Sequence, residues 1–187
     1  TRDQLLVNGK LNGELVHILV CHWPSRRGGE EESKINRITA AKVAKAIIDS
    51  ITSSEKNAKI IVMGDLNDDP KDESIKNILV TSEDASKSDK KTMLNPMENI
   101  LAGGQGTLSH KGKWNLFDQL IISSPLLNAD RGKLRFWKSE IFNPDFLISK
   151  EGRYKGYPFR TFSGNMFQNG YSDHFPVILY LIKEIIN

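Results

Sequence analysis

The chain has 187 residues, of which 39% are hydrophobic and 26% charged, and a formal net charge of +3. Its length allows one substantial core, burying ~70% of the unfolded chain's surface, and one domain of a soluble globular protein is the expectation. The mild charge admits an anionic ligand without the heavily basic face of a dedicated nucleic-acid binder. The single Cys21 excludes an intrachain disulfide and a cysteine-built zinc cluster, and no apolar run approaches the ~20 residues of a membrane span.

The opening "TRDQLLVNGKLNGELVHILV" reads as a strand already under way, without initiator methionine, signal peptide or helix cap. The chain is therefore expected to begin inside a larger domain, with any targeting or export signal upstream. Residues 3–10 and 14–22 form a hairpin joined at Leu11-Asn12-Gly13, since Asn-Gly is a strong hairpin turn. In the second strand Val16, Ile18, Val20 and His22 share one face. Residues 30–53 read as a helix, with Glu30, Glu31 and Glu32 at the positive end of its dipole and Ile35, Ile38, Ala41, Ala44, Ile48 and Ile51 at three- and four-residue spacing.

A short strand, Lys59–Met63, is apolar on both faces, as a strand covered on both sides should be. A short helix at 73–80 and a mobile polar loop at 81–92 follow. Strands are expected at 115–123 and 134–142, a long loop rich in Gly, Asn, Arg and aromatics at 143–172, and a final strand in "HFPVILYLI" with Pro176 near its start. Hairpins mixed with helices argue for an α/β sandwich carrying mixed sheets rather than a pure βαβ barrel.

Chemistry gathers first at "IIVMGDLNDDP". Asp65 and Asn67 follow the carboxyl end of a buried strand, where open α/β sheets present ligand-binding groups, and Gly64 lets the backbone turn. Hard oxygen donors of this kind suit magnesium. A β-turn whose side chains cap backbone N–H groups is an equal account of the same spacing. Asp68, Asp69 and Pro70 read as turn residues. Asp118 shares a strand face with Leu116, Leu120 and Ile122, where an ionised carboxylate needs a cationic or donating partner unless the strand is an exposed edge. His174 in "GYSDHFPV" is the expected partner, because a carboxylate that fixes an imidazole's tautomer makes a general base. The adjacent Asp173 points to the other side of an extended chain. His22 ends a strand before Arg26 and Arg27, which could grip a phosphate bidentately or be an ordinary solvated pair. His17 and His110 read as structural.

In this order, "HWPSR", "IIVMGDLND", "NLFDQLIIS" and "YSDHFPV" resemble the endonuclease/exonuclease/phosphatase superfamily, whose members include deoxyribonuclease I, abasic-site endonucleases, neutral sphingomyelinases and inositol polyphosphate 5-phosphatases. The resemblance spans nearly the whole chain and is nearest to bacterial members of undefined substrate. It implies a four-layer α/β sandwich with mixed β-sheets, deoxyribonuclease I-like, and a phosphoester hydrolase dependent on Mg²⁺ or Mn²⁺. By that resemblance His174 is the catalytic base and Asp118 its orienting acid. Asp65 positions the attacking water, Asn67 steadies the phosphate, Asp173 contributes to the metal site, and His22 meets a phosphate oxygen.

The superfamily's first strand, with its asparagine, and the following glutamate, the main metal ligand, have no counterpart here. Glu14 lies in the hairpin turn and does not fit. The chain accordingly looks like the C-terminal portion of the domain, lacking its N-terminal part. Metal binding is then expected to be weak, and an uncovered apolar face should lead to self-association or to pairing with the missing N-terminal half. "KEGRYKGYPFRTF" sets Arg153, Lys155 and Arg160 among aromatics, suited to a nucleic acid, an inositol phosphate or other phosphorylated small molecule, a lipid head group, or plain packing under a basic rim. The competing reading is a non-catalytic module that binds phosphate or nucleic acid on the same fold.

Overall fold

The computed structural model of the chain describes residues 2–89, 91–110 and 112–185. Strands β1 (Leu5–Leu11) and β2 (Glu14–His22) form the expected hairpin. Its turn residues Asn12 and Gly13 have φ of 50° and 84°, the paired positive values that match the twist of the flanking strands. Helix α1 (Glu30–Ser54) follows. It buries Ala40, Ala41, Ala44 and Ile48, but its first turns turn Ser33 and Arg37 inward. Ile35, expected on the apolar face, is exposed for that reason.

Strand β3 (Ile60–Asp65) runs parallel to β2 and is covered on both faces. Gly64 lies within this strand rather than in a turn. Its φ is 130° and a Cβ would overlap the Cys21 carbonyl of β2, so only glycine lets the two strands close up just before Asp65. The helix expected at 73–80 is a single π turn, Ser74–Ile78. The loop expected at 81–92 is tied at both ends, because β4 (Thr81–Ser82) pairs with β5 (Met93–Leu94) and all four residues are buried.

Helix α2 (Met97–Ala102) comes next, then the small hairpin of β6 (Leu108–His110) and β7 (Lys113–Asn115). The strand expected over 115–123 is thus divided: β7 ends at Asn115 and β8 (Asp118–Ile122) begins at Asp118. Strand β9 (Arg135–Ile141), the short hairpin β10 (Phe162–Ser163) and β11 (Met166–Phe167), and β12 (Val177–Ile182) complete the chain.

The order β1-β2-β3-β8-β5-β4 makes one mixed six-stranded sheet, and β9 pairs with β12 in a second. This is an α/β sandwich whose large sheet is mixed and whose second sheet is antiparallel. One face of the large sheet packs Leu19, Trp23, Ile60, Val62 and Ile121 against α1 and the π turn. The opposite face packs Val16, Ile18, Ile61, Met63 and Ile122 against Phe136, Leu179 and Leu181 of the second sheet. Two strands cannot cover six. Leu5, Val7 and Val20, which share that face across the β1–β2 ladder, remain 61%, 44% and 37% exposed. Among the described residues no helix is long and apolar enough to cross a membrane.

Candidate active site

Register places the site. His22 of β2 pairs with Asp65 of β3, and Asp65 pairs with Asp118 of β8, so three neighbouring strands bring these side chains to one end of the sheet side by side. Backbone bonds hold the alignment one residue further: Trp23 N donates to Asp65 O, and Leu66 N to Phe117 O. The segment before β12 then delivers His174 to the same end, where its Nδ1 lies 2.7 Å from Asp118 Oδ2. Both side chains are about four-fifths buried, at 20% and 19% exposure. Among the described residues His174 Nε2 has no hydrogen-bond partner.

Asp65 divides its two oxygens. Oδ1 accepts the Asn67 N–H at 2.9 Å, the short-range turn bond that the sequence allowed. Oδ2 faces His22 Nε2 at 3.6 Å. Asn67 adopts a left-handed φ of 51°, is 7% exposed, and donates its side-chain amide to Trp23 O at 3.0 Å. Burial pushes the Asp65 carboxyl above its ordinary range, helped by the charge of Asp118 and opposed by His174. Burial acts the other way on His174, but the hydrogen bond and charge of Asp118, with the charges of Asp65 and Asp173, outweigh it and raise that imidazole. Both shifts favour the protonated form of their group.

The remaining expected residues are less concentrated. Asp173 is exposed next to His174. Arg26, read as a phosphate grip, has its guanidinium committed within the protein: Nε donates to Asn67 O, Nη2 to Asp68 and Asp72, and Nη1 pairs with Glu30. Arg27 is exposed. Arg153 and Arg160 both lie over the Tyr154 ring, at 5.7 and 4.5 Å, and neither bonds to the His22–Asp65–Asp118–His174 group. Among the described residues no group of three or more His, Cys, Asp or Glu side chains is arranged to hold a metal ion.

The sequence matches the endonuclease/exonuclease/phosphatase family over residues 1–183. The chain belongs to that family. A comparison with curated protein sequences finds no match. Among solved structures, this family member is similar to a humanized TDP2 of D. rerio, with TM-score 0.57 and 12% identity over 96% of this chain and 60% of that one. It is also similar to a mannosyl-6-phosphatase from Bacteroides thetaiotaomicron, with TM-score 0.53 and 16% identity over 91% and 52%. A third similar structure is beta toxin from Staphylococcus aureus with bound magnesium ions, with TM-score 0.50 and 15% identity over 94% and 56%. At such identities the likeness is one of fold. The chain spans between half and two thirds of the length of these structures.

What the sequence did not reveal is the support beneath the site. Asp68, read as a turn residue, is 3% exposed and bonds to Arg26, Arg37 and Ser74. Arg37 gave no local signal, since one basic residue in a helix with several others carries no mark of burial.

Proposed function

We propose that the family domain to which these residues contribute is a phosphoester hydrolase, and that His174 and Asp118 are its general base and orienting acid. The observation that carries this reading is the 2.7 Å bond from His174 Nδ1 to Asp118, beside the Asp65 carboxylate and with Nε2 open. A water at Nε2 loses its proton as it attacks phosphorus, and the Asp118 carboxylate stabilises the imidazolium that forms. Asp65 Oδ2 aligns that water. His22 and the Asn67 amide donate to the phosphate oxygens as negative charge develops on them.

The family resemblance implies magnesium or manganese, and a similar fold holds magnesium. Asp65, Asn67 and Asp173 are too sparse a set to hold it firmly, so weak binding by this chain is expected. We propose that the chain is the C-terminal portion of one domain. The open flank at Leu5, Val7 and Val20 is then covered by self-association or by the N-terminal half. A solution mass equal to the monomer at every concentration would count against self-association. Arg27, Arg153 and Arg160 remain proposed contacts for an anionic substrate, whether nucleic acid, phosphorylated small molecule or lipid head group.

The test is hydrolysis of a generic phosphodiester by the chain, and by the longer protein of which we propose it is part. It is run with Mg²⁺ or Mn²⁺, with chelator, and with His174→Ala as control. Metal-dependent turnover lost in the variant supports the reading. No turnover on diester, monoester or nucleic acid with either metal leaves a phosphate-binding module as the better account.

A further inference from the structure

Beneath Asn67 lies an ion cluster that the chemistry above does not use. Arg37, on α1, is 1% exposed, and its Nε donates to Asp68 Oδ1 at 2.6 Å. Its other nitrogens reach Ser33 Oγ at 2.7 Å and Glu30 O at 3.2 Å. Asp68 Oδ1 also meets Arg26 Nη2, and Oδ2 accepts the Ser74 hydroxyl at 2.6 Å. Arg26 returns to the site, with its Nε 2.9 Å from Asn67 O and its guanidinium 4.5 Å over the Phe117 ring. The Asp68 carbonyl accepts Gln119 Nε2 at 2.7 Å, which joins the same turn to β8.

Burying such a cluster is a poor route to stability. Removing each ion from water costs several kcal/mol, and well-packed apolar replacements are often neutral or stabilising. What the cluster gains is a fixed conformation. Every polar group of residues 67 and 68 that it touches is adjacent to the left-handed backbone of Asn67, a conformation that persists only where its surroundings over-determine it.

We propose that Arg37 and Asp68, acting through Arg26, are positioning residues of the site. They hold Asn67 in its left-handed conformation and so aim both its amide and the Asp65 carboxylate that its N–H restrains. The proposal deepens the hydrolase reading and rests on it for its catalytic meaning, though the restraint itself is measurable without turnover.

The experiment is amide hydrogen exchange on the 187-residue chain, comparing Asn67 with Val62 and Ile121, which sit in the centre of the large sheet. In the apolar pair variant Arg37→Met/Asp68→Leu, Asn67 exchanges about tenfold faster while Val62 and Ile121 are unchanged. Should that variant fail to fold, Arg26→Lys decides. It keeps a cation beside Asp68 and Asp72, loses the bond to Asn67 O, and is expected to speed Asn67 by about threefold. Unchanged Asn67 exchange in a folded variant overturns the proposal. In any protein that turns over, the same variants lower kcat with KM little altered. If the unaltered protein is inert with every metal, the hydrolase reading falls while the exchange result still decides the restraint.

Discussion

Two hydrogen-bonded histidine–carboxylate pairs sit at opposite ends of the large sheet, and they differ in what they leave open. His17, beside the start of β3, meets Asn8 Oδ1 through Nδ1 at 2.7 Å and Glu55 Oε2 through Nε2 at 3.0 Å. It is 7% exposed, and the protein occupies both ring nitrogens. His174, at the far end, gives one nitrogen to Asp118, and among the described residues the other has no hydrogen-bond partner. The pair chemistry is similar, but only the second has a nitrogen that can take a proton from a bound water. A histidine–carboxylate contact is therefore a weak sign of catalysis, and an unoccupied second nitrogen beside another carboxylate is a much stronger one.

That contrast can be broken by mutation. The largest effect is expected for His174→Ala, which should lower phosphodiester turnover by about 10³-fold, read as kcat in the longer protein of which we propose the chain is part. Turnover within a few-fold of the unaltered protein would remove His174 from the chemistry. Asp118→Asn keeps the shape but changes the tautomer that the imidazole presents, and roughly a hundredfold loss is expected, with the thermal midpoint little changed.

His17→Gln should leave turnover unaltered and cost about 1 kcal/mol of stability, measured by denaturant titration. A loss of turnover there would erase the distinction between the two ends.

The smallest effect concerns pH. Glu14 is held down to about 2 from its ordinary 4.5: burial works against this, but hydrogen bonds from Lys59, Lys183 and the Leu134 N–H prevail. A depressed carboxylate contributes stability that is present above the unfolded value and lost as pH falls through the folded one. Stability should therefore decline between pH 4.5 and about 2, and Glu14→Gln should flatten that decline. An unchanged acid limb in the variant would show that other carboxylates control it.

Much of the frame was legible because it depends on local pattern. Asn12-Gly13 marks its hairpin, the glutamates mark the start of α1, and β12 follows its apolar run. The meeting of Asp118 and His174 could be read because a carboxylate on an apolar strand face requires a partner. Other features have no such pattern. Strands β4 and β5 are two residues each, too short for any period, and α2 has only six. The inward turn of Ser33 and Arg37, which displaced Ile35, follows from Asp68, 31 residues beyond Arg37 along the chain. Burial of a charge is a tertiary fact, and neither partner announces it alone. The same holds for Arg26, whose basic pair with Arg27 looked like a phosphate grip until Asn67, Asp68, Asp72 and Glu30 were seen to claim it.

The open flank formed by Leu5, Val7 and Val20 has a calorimetric consequence. Apolar surface that is already hydrated in the native state contributes nothing to the heat-capacity change of unfolding. The isolated chain should therefore fall below the usual value of about 12–15 cal/mol/K per residue. An environment-sensitive dye such as ANS should brighten on the native protein, before any melting, and dim under whatever covers that flank.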